Sequence, residues 1–598
     1  MPSVRKHGGH IVDAKGPTGT PFDYLLPQLK DKPGSHLPGD PGKVVADLNA
    51  LGAAMVDEAP GLPTDPKVEV NSTVPALYTY WGQFIDHDLT ANTDRDSRTS
   101  DITKADLKPV PPDEVTKNLR NLRRPGLDLD SVYGDGPSFG KDNDDDDHDD
   151  GHGPDDGLYD GPRFRVGRNH EQGIRGVKIP PVDDLARDLP RIGKLLDDGV
   201  ITQDDLPEDL RKDPNLRTRA FIGDLRNDEN LIIAQFHLAF LRFHNKVVER
   251  IEDDPRAFGL KRGRGHRAER FEHARQLTRF HYQWLVVNDY LKTVTLSGIV
   301  DKVLVGGLKH YKPLVSRGRH ELFMPLEYSV AAFRFGHTMV RGAYDHNRNF
   351  GKRLPGQGEG QPLIPFASFD LLFAFTGNGF ARDRNDPSKS IRSPFLDQGP
   401  ALPFNWIIEW DRFANKADPD EAHFARKFDT RLVPPITQMV NEGTDPDIQD
   451  DVNKPLNKPL RVLLRHLARR NLLRGYLLSI PTGQSVAAEM GVLALTQDEL
   501  RRDNSDALNA ALEQGGFLQN TPLWYYLLKE AEVRASGNSL GELGSRIVCE
   551  TVIGLLRNDR NSFLNDRGGW DPSEGIKLDN GDPIVTIRDF LSFTGVPA

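Results

Sequence analysis

The chain has 598 residues, enough for several domains and a large core, yet only 37% of it is hydrophobic, and 55 glycines with 44 prolines imply long loops. A net charge of −11 and a pI near 5.9 argue against a nucleic-acid binder. One cysteine, Cys549, excludes intramolecular disulfides and thiolate metal clusters, so a metal would have to be held by His, Asp, Glu or backbone oxygen.

The first 70 residues are rich in Gly and Pro and predict an extended arm with one short helix near Val44–Val56. Their beginning has basic residues but no apolar stretch of the kind a secretory signal needs. The expected location is therefore cytoplasmic, or outside the cell by export without a cleavable signal. No run approaches the ~18 apolar residues of a membrane span. Residues 71–598 are expected to form one mainly α domain with few short strands.

A helix is predicted from about Leu77 to Leu89. Gln83 and His87 are four apart and share a face. Asp86 sits one step round, and Asp88 points away from His87. Trp81, Phe84, Ile85 and Leu89 supply apolar flanks. Buried carboxylates are costly unless they are paired, metal-bound or covalently used. The ordinary reading is a helix end with solvated aspartates and a core histidine. The apolar neighbours argue against it.

Residues 121–134 (NLRRPGLDLDSVYG) read as a loop. Asp128 and Asp130 alternate there, as oxygen ligands for a hard cation do, although most Asp-x-Asp loops are merely solvated. Residues 141–157 hold an acidic run expected to be disordered, with loose calcium binding as its functional alternative.

A long helix is predicted from Leu231 to Ile251, with Phe236, Phe240, Phe243 and Val247 at helical spacing. His237 and His244 on it read as structural. Arg226 and Glu229, at its entrance, read first as an ion pair or cap. Further helices are expected over Glu269–Thr293, Leu326–Val340, Arg412–Arg474 (two or three), Leu495–Gln514, Thr521–Ala535 and Leu540–Arg557. His337 would share a helical face with Phe333, and Gly336 beside it leaves room for something large and flat. Asn471 and Arg474 lie near a basic helix end.

Two histidines on separate apolar helices, without zinc-like spacing, suit haem better than zinc. Taken in order, the segments resemble the animal-type haem peroxidases of the peroxidase–cyclooxygenase superfamily, in a disulfide-free bacterial branch. The resemblance covers roughly residues 70–560. It rests on Gln83-x-x-Asp86-His87-Asp88, on Arg226 with Glu229, on His237…Leu241-Arg242-x-His244-Asn245 and on Phe333-Arg334-x-Gly336-His337-Thr338.

The resemblance implies a haem peroxidase fold, with haem b held between helices of a large α domain. It makes His87 the distal histidine, Arg226 the distal arginine and Gln83 a neighbour of the distal water. His337 becomes the haem-iron ligand, Asn471 the partner of its ring N–H, and Arg334 and Arg474 the propionate ligands. Asp86 and Glu229 match carboxylates that form haem esters. Asp88, Asp128 and Asp130, with the backbone carbonyl of Arg124, match a calcium site in which a threonine usually holds the Arg124 position. The implied activity is reduction of hydrogen peroxide with oxidation of a small reducing substrate, organic or halide/thiocyanate, in response to oxidative stress. The alternatives are a haem fatty-acid dioxygenase of the same superfamily, which needs a tyrosine where Arg334 stands, and a non-catalytic haem- and calcium-binding module.

Overall fold

The apolar stripe of Phe236, Phe240, Phe243 and Val247 builds the centre of the molecule in the computed structural model. Its segment forms a 23-residue helix, Leu231–Asp253. Asn230 caps that helix, its side chain accepting from the Ile233 N–H. The Leu77–Leu89 helix packs against it. Phe84 stacks on Phe240 at 4.6 Å between centroids and meets Phe236 edge-on at 5.3 Å. Such pairs add ~0.5–1.5 kcal/mol each beyond their buried area.

A third helix, Arg267–Leu285, runs beside the long one and continues as a π-helical turn, Val286–Leu291. That turn brings Tyr290 against Gly82. A Cβ on Gly82 would lie 2.4 Å from the Tyr290 hydroxyl, so only glycine lets the two segments approach. The later helices Leu467–Leu477, Leu523–Arg534 and Glu542–Asn558 close the other side. Strands are short: among the described residues they form one three-stranded and five two-stranded sheets. The mainly α class is thus as expected.

The structure describes residues 19–57, 70–91, 101–134, 156–351, 366–382, 390–392, 401–439 and 462–596, less short stretches at 105, 171–172, 174–184, 214, 261–265, 317–318 and 378. Nearly all of the acidic 141–157 run lies outside them. No described helix is long and apolar enough to cross a membrane.

Two expectations need correction, and a third is tested only in part. Residues 19–57 hold the expected short helix but are not an extended arm. Thr20–Asp23 is a strand between Arg120–Asn121 and Met324–Pro325, and Pro41–Ala54 is a helix packed on Leu467–Leu477. Phe22, Leu26, Leu48 and Leu51 are its buried anchors. The described part of Arg412–Arg474 holds a four-residue helix, Asp411–Ala414, a strand, Phe424–Arg426, and the helix from Leu467, with 3-10 turns between.

Finally, Leu326–Val340 is not an α-helix. It is a π turn, Glu327–Ala331, followed by a 3-10 turn, Ala332–His337. Every side chain from Glu327 to Phe335 is buried, so no apolar stripe selects the α period. In a 3-10 turn residues three apart eclipse, which puts Arg334, rather than Phe333, on the side of His337. Phe333 instead stacks on Tyr328 at 4.6 Å.

Candidate active site

His87 is fully buried near the end of the Leu77–Leu89 helix, which stops at Thr90. Its Nδ1 lies 2.8 Å from Asn227 Oδ1. Arg226 sits in the 3-10 turn Leu225–Asp228, whose start is capped by Asp224. The Arg226 guanidinium donates through Nε and Nη2 to Asp224, and Nη2 also donates to the His87 carbonyl at 2.8 Å. Asp224 takes Arg123 as a second partner. Burial alone would push the Asp224 pKa up. The two guanidiniums outweigh it and hold the group far below the ordinary carboxylate range.

Gln83 lies one turn before His87. Its Oε1 accepts from Asn230 Nδ2 at 3.2 Å, and its amide nitrogen is 3.5 Å from Glu229 Oε2. Asp86 accepts from the Thr90 hydroxyl at 2.7 Å. Asp86 and Glu229 both act on the Arg226 charge. The fold therefore gathers His87, Arg226, Gln83, Asp86 and Glu229 from two segments some 140 residues apart.

The segment carrying His337 packs against the helix carrying His87. Asn471 Nδ2 lies 2.8 Å from His337 Nδ1, while Asn471 Oδ1 is buried with no hydrogen-bond partner among the described residues. The amide thus presents its nitrogen to the ring, not the oxygen the resemblance implied. A half-turn of the amide would give a ring N–H its acceptor and satisfy the orphaned oxygen. Arg334 is buried, its Nε donating to the Ser329 carbonyl and its own carbonyl accepting from Trp524 Nε1. Arg474, also buried, lies three residues after Asn471 on one helix and so shares its side.

These residues fit a haem. A Cβ on Gly336, next to His337, would meet nothing nearer than the Thr79 carbonyl at 4.0 Å, so there is room beside the histidine. The orphaned Asn471 oxygen is the acceptor that an imidazole holding iron through Nε2 requires.

Calcium fits less well. Asp88 does meet the 128–131 loop: it accepts from the Leu129 N–H at 3.1 Å and from the Ser131 N–H and hydroxyl. Burial, then the charge of Asp130, pushes its pKa up to about 7. But Arg124 reaches across the loop, with Nη1 3.0 Å from Asp128 and Nη2 2.9 Å from Asp559. Its carbonyl, the ligand expected of it, accepts from the Gly126 N–H at 2.8 Å. Gln283 donates to the carbonyls of Gly126 and Leu127. The expected calcium site is neither shown nor overturned: Arg124 brings positive charge to Asp128 and a turn hydrogen bond uses its carbonyl, while both Asp128 oxygens are buried without a hydrogen-bond partner among the described residues.

Sequence reasoning missed Asp224, Asn227 and Arg123, while His237 is a hydrogen-bonded core histidine as expected. Asp224 and Asn227 flank Leu225-Arg226, which was the available signal. It also missed Asp345, Asp420 and His423, whose ligand atoms lie within 4.8 Å of one another. Arg412 pairs with Asp345, and His423 is bonded to both Asp418 and Asp345, so an ion network accounts for that cluster.

The family model for animal haem peroxidase matches residues 187–361, a span that holds Arg226, Glu229, Arg334 and His337. No curated protein matches. Among solved structures, peroxidase A from Dictyostelium discoideum is similar over 91% of this chain and 88% of its own, at 15% identity and a TM-score of 0.49. A fatty acid alpha-dioxygenase from Arabidopsis thaliana is similar over 93% and 76%, at 13% identity and 0.46. One from Oryza sativa is similar over 90% and 74%, at 12% identity and 0.42. The similarity to the animal haem peroxidase family thus lies in residues 187–361, under a third of the chain.

Proposed function

We propose that this chain is a haem peroxidase. It reduces hydrogen peroxide to two waters while taking one electron and one proton from each of two small organic donors. With a halide or thiocyanate, peroxide, the anion and a proton give the hypohalous or hypothiocyanous acid and one water. The observation that carries the reading is the buried coupling of Arg226 to the His87 carbonyl, which ties the arginine to the segment bearing the acid–base residue.

Haem b, when bound through His337, supplies the electron transfer between peroxide and donor. His87 takes a proton from one peroxide oxygen and returns it to the leaving oxygen; a positioned imidazole contributes about 100- to 10,000-fold. Arg226, held by Asp224, offers fixed positive charge where negative charge develops, with no reorganisation at that moment. Gln83 shapes access for small anions. Asn471 orients the His337 ring. Arg334 and Arg474 hold the propionates. Asp86 and Glu229 are the proposed ester positions. Arg334, where a dioxygenase needs tyrosine, favours the peroxidase.

The test is the absorption spectrum of the haem-supplied protein, with and without peroxide, then after acid–organic extraction. A Soret band that shifts with peroxide, and turnover of a phenol, support the reading. Colour that stays with the protein after extraction supports the esters. Absence of a Soret band, or oxygen uptake with a fatty acid in place of phenol turnover, rejects the peroxidase.

A further inference from the structure

Three fully buried side chains are joined end to end behind the distal site. His87 Nδ1 is 2.8 Å from Asn227 Oδ1, and Asn227 Nδ2 is 3.0 Å from His237 Nδ1. An amide oxygen only accepts and an amide nitrogen only donates. His87 Nδ1 is therefore the donor and His237 Nδ1 the acceptor. Burial pushes the His237 pKa down to about 3, so His237 is neutral and can accept. A reversed amide, with both imidazoles in the other tautomer, would run the chain the opposite way; the amide as placed runs it from His87 to His237. A neutral imidazole carries hydrogen on only one nitrogen. With that hydrogen on Nδ1, the lone pair of His87 is on Nε2.

We propose that Asn227, oriented by His237, is a positioning residue of the peroxide step: it fixes the tautomer and ring direction of His87 so that Nε2 is the proton acceptor. The proposal rests on the haem peroxidase reading. One proton passes from the peroxide O–H to Nε2; Asn227 and His237 exchange none and act through His87. Asn227 lies between Arg226 and Asp228, so one turn sets both the distal charge and the distal base.

The test compares haem ligands that do and do not need a base. Hydrogen cyanide must give up its proton on binding, whereas carbon monoxide has none to give. In the haem-loaded full chain, Asn227→Leu keeps the volume and removes both bonds. It should slow peroxide reaction and cyanide association roughly 10- to 100-fold and leave carbon monoxide association unchanged. Asn227→Asp keeps an acceptor for His87 Nδ1 and should restore most of the cyanide rate. Where the leucine variant does not take up haem, His237→Phe decides: it frees the amide and should slow cyanide while sparing carbon monoxide. A cyanide rate unmoved in the folded variant, or carbon monoxide slowed by the same factor, overturns the positioning role alone. A wild-type chain without a Soret band overturns the haem reading and this proposal together.

Discussion

Asp224→Asn tests the geometry of Arg226, the proposed distal arginine, most directly. The carboxylate accepts from the Arg226 N–H at 2.9 Å, from Arg226 Nη2 at 2.8 Å, from Arg226 Nε and from Arg123. Both guanidiniums are buried, so almost no water can take over. Asparagine keeps the shape but loses the charge and one accepting oxygen. Removing one partner of a buried ion pair costs about 3–5 kcal/mol. The helix-start bond and the bond to the His87 carbonyl survive, which points to the lower end, about 3 kcal/mol. That is on the order of 100-fold in the folding equilibrium. A loosened Arg226 should also slow the reaction with peroxide, by about tenfold or more, since loss of one fixed electrostatic donor costs ~100- to 1000-fold.

The assay is a denaturant titration, where the midpoint should fall without a change of slope, paired with the peroxide rate at neutral pH. The pH dependence has a definite sign. The folded pKa of Asp224 is depressed, so its stabilisation is complete above the unfolded value and is lost only as pH falls through the folded one. The gap between wild type and variant should be widest from about pH 5 upward and close in strong acid. Arg123→Met added to Asp224→Asn should recover part of the loss, because it removes one unpaired charge. A variant with the wild-type midpoint and the wild-type rate would refute the reasoning.

Other expectations are simpler to check. His337→Ala should lose haem, or keep it without activity, read from the ratio of Soret to protein absorbance; full haem with full turnover rules out the proximal assignment. In the wild type, chelating calcium should leave the melting temperature unchanged. Arg124→Thr should cost about 1 kcal/mol, small because Arg124 is half exposed, and should make melting calcium-dependent. An equal calcium response in both proteins would show that Arg124 does not replace the ion. Gly82→Ala should destabilise by ~1–3 kcal/mol in a thermal melt through its contact with the Tyr290 hydroxyl; an unchanged melt would mean that the helices are not held that close.

Much of this was legible in the sequence where a residue's role depends on near neighbours. The helix ending at Leu89 and the one starting at Leu231 fell where apolar spacing put them. The fold also brings the motif residues together: Gln83 meets Glu229, Arg226 meets the His87 carbonyl, and Asn471 meets His337. What stayed hidden depends on partners far along the chain. Nothing local to Asn227 says that it will bridge two histidines, one of them 140 residues earlier. The π and 3-10 turns before His337 were hidden because a fully buried stretch has no polar face to reveal its period. Arg124 was read for its carbonyl alone, since the position of Asp559, 435 residues later, cannot be read from the loop.

The strand at Thr20–Asp23 has a consequence in time. Phe22 pairs with Met324 in parallel, and the N–H groups of Leu25 and Leu26 are both received by the buried Glu327 carboxylate. None of these partners exists until some 300 further residues have been synthesised. At roughly 5–20 residues per second, that is a wait on the order of 15–60 s. Throughout it Phe22, Leu25 and Leu26 have no native surface to bury against on that side. The nascent chain lacks these contacts until His337 itself is about to emerge, so a haem held by His337, as proposed, would be captured only after more than half of the polypeptide has been made.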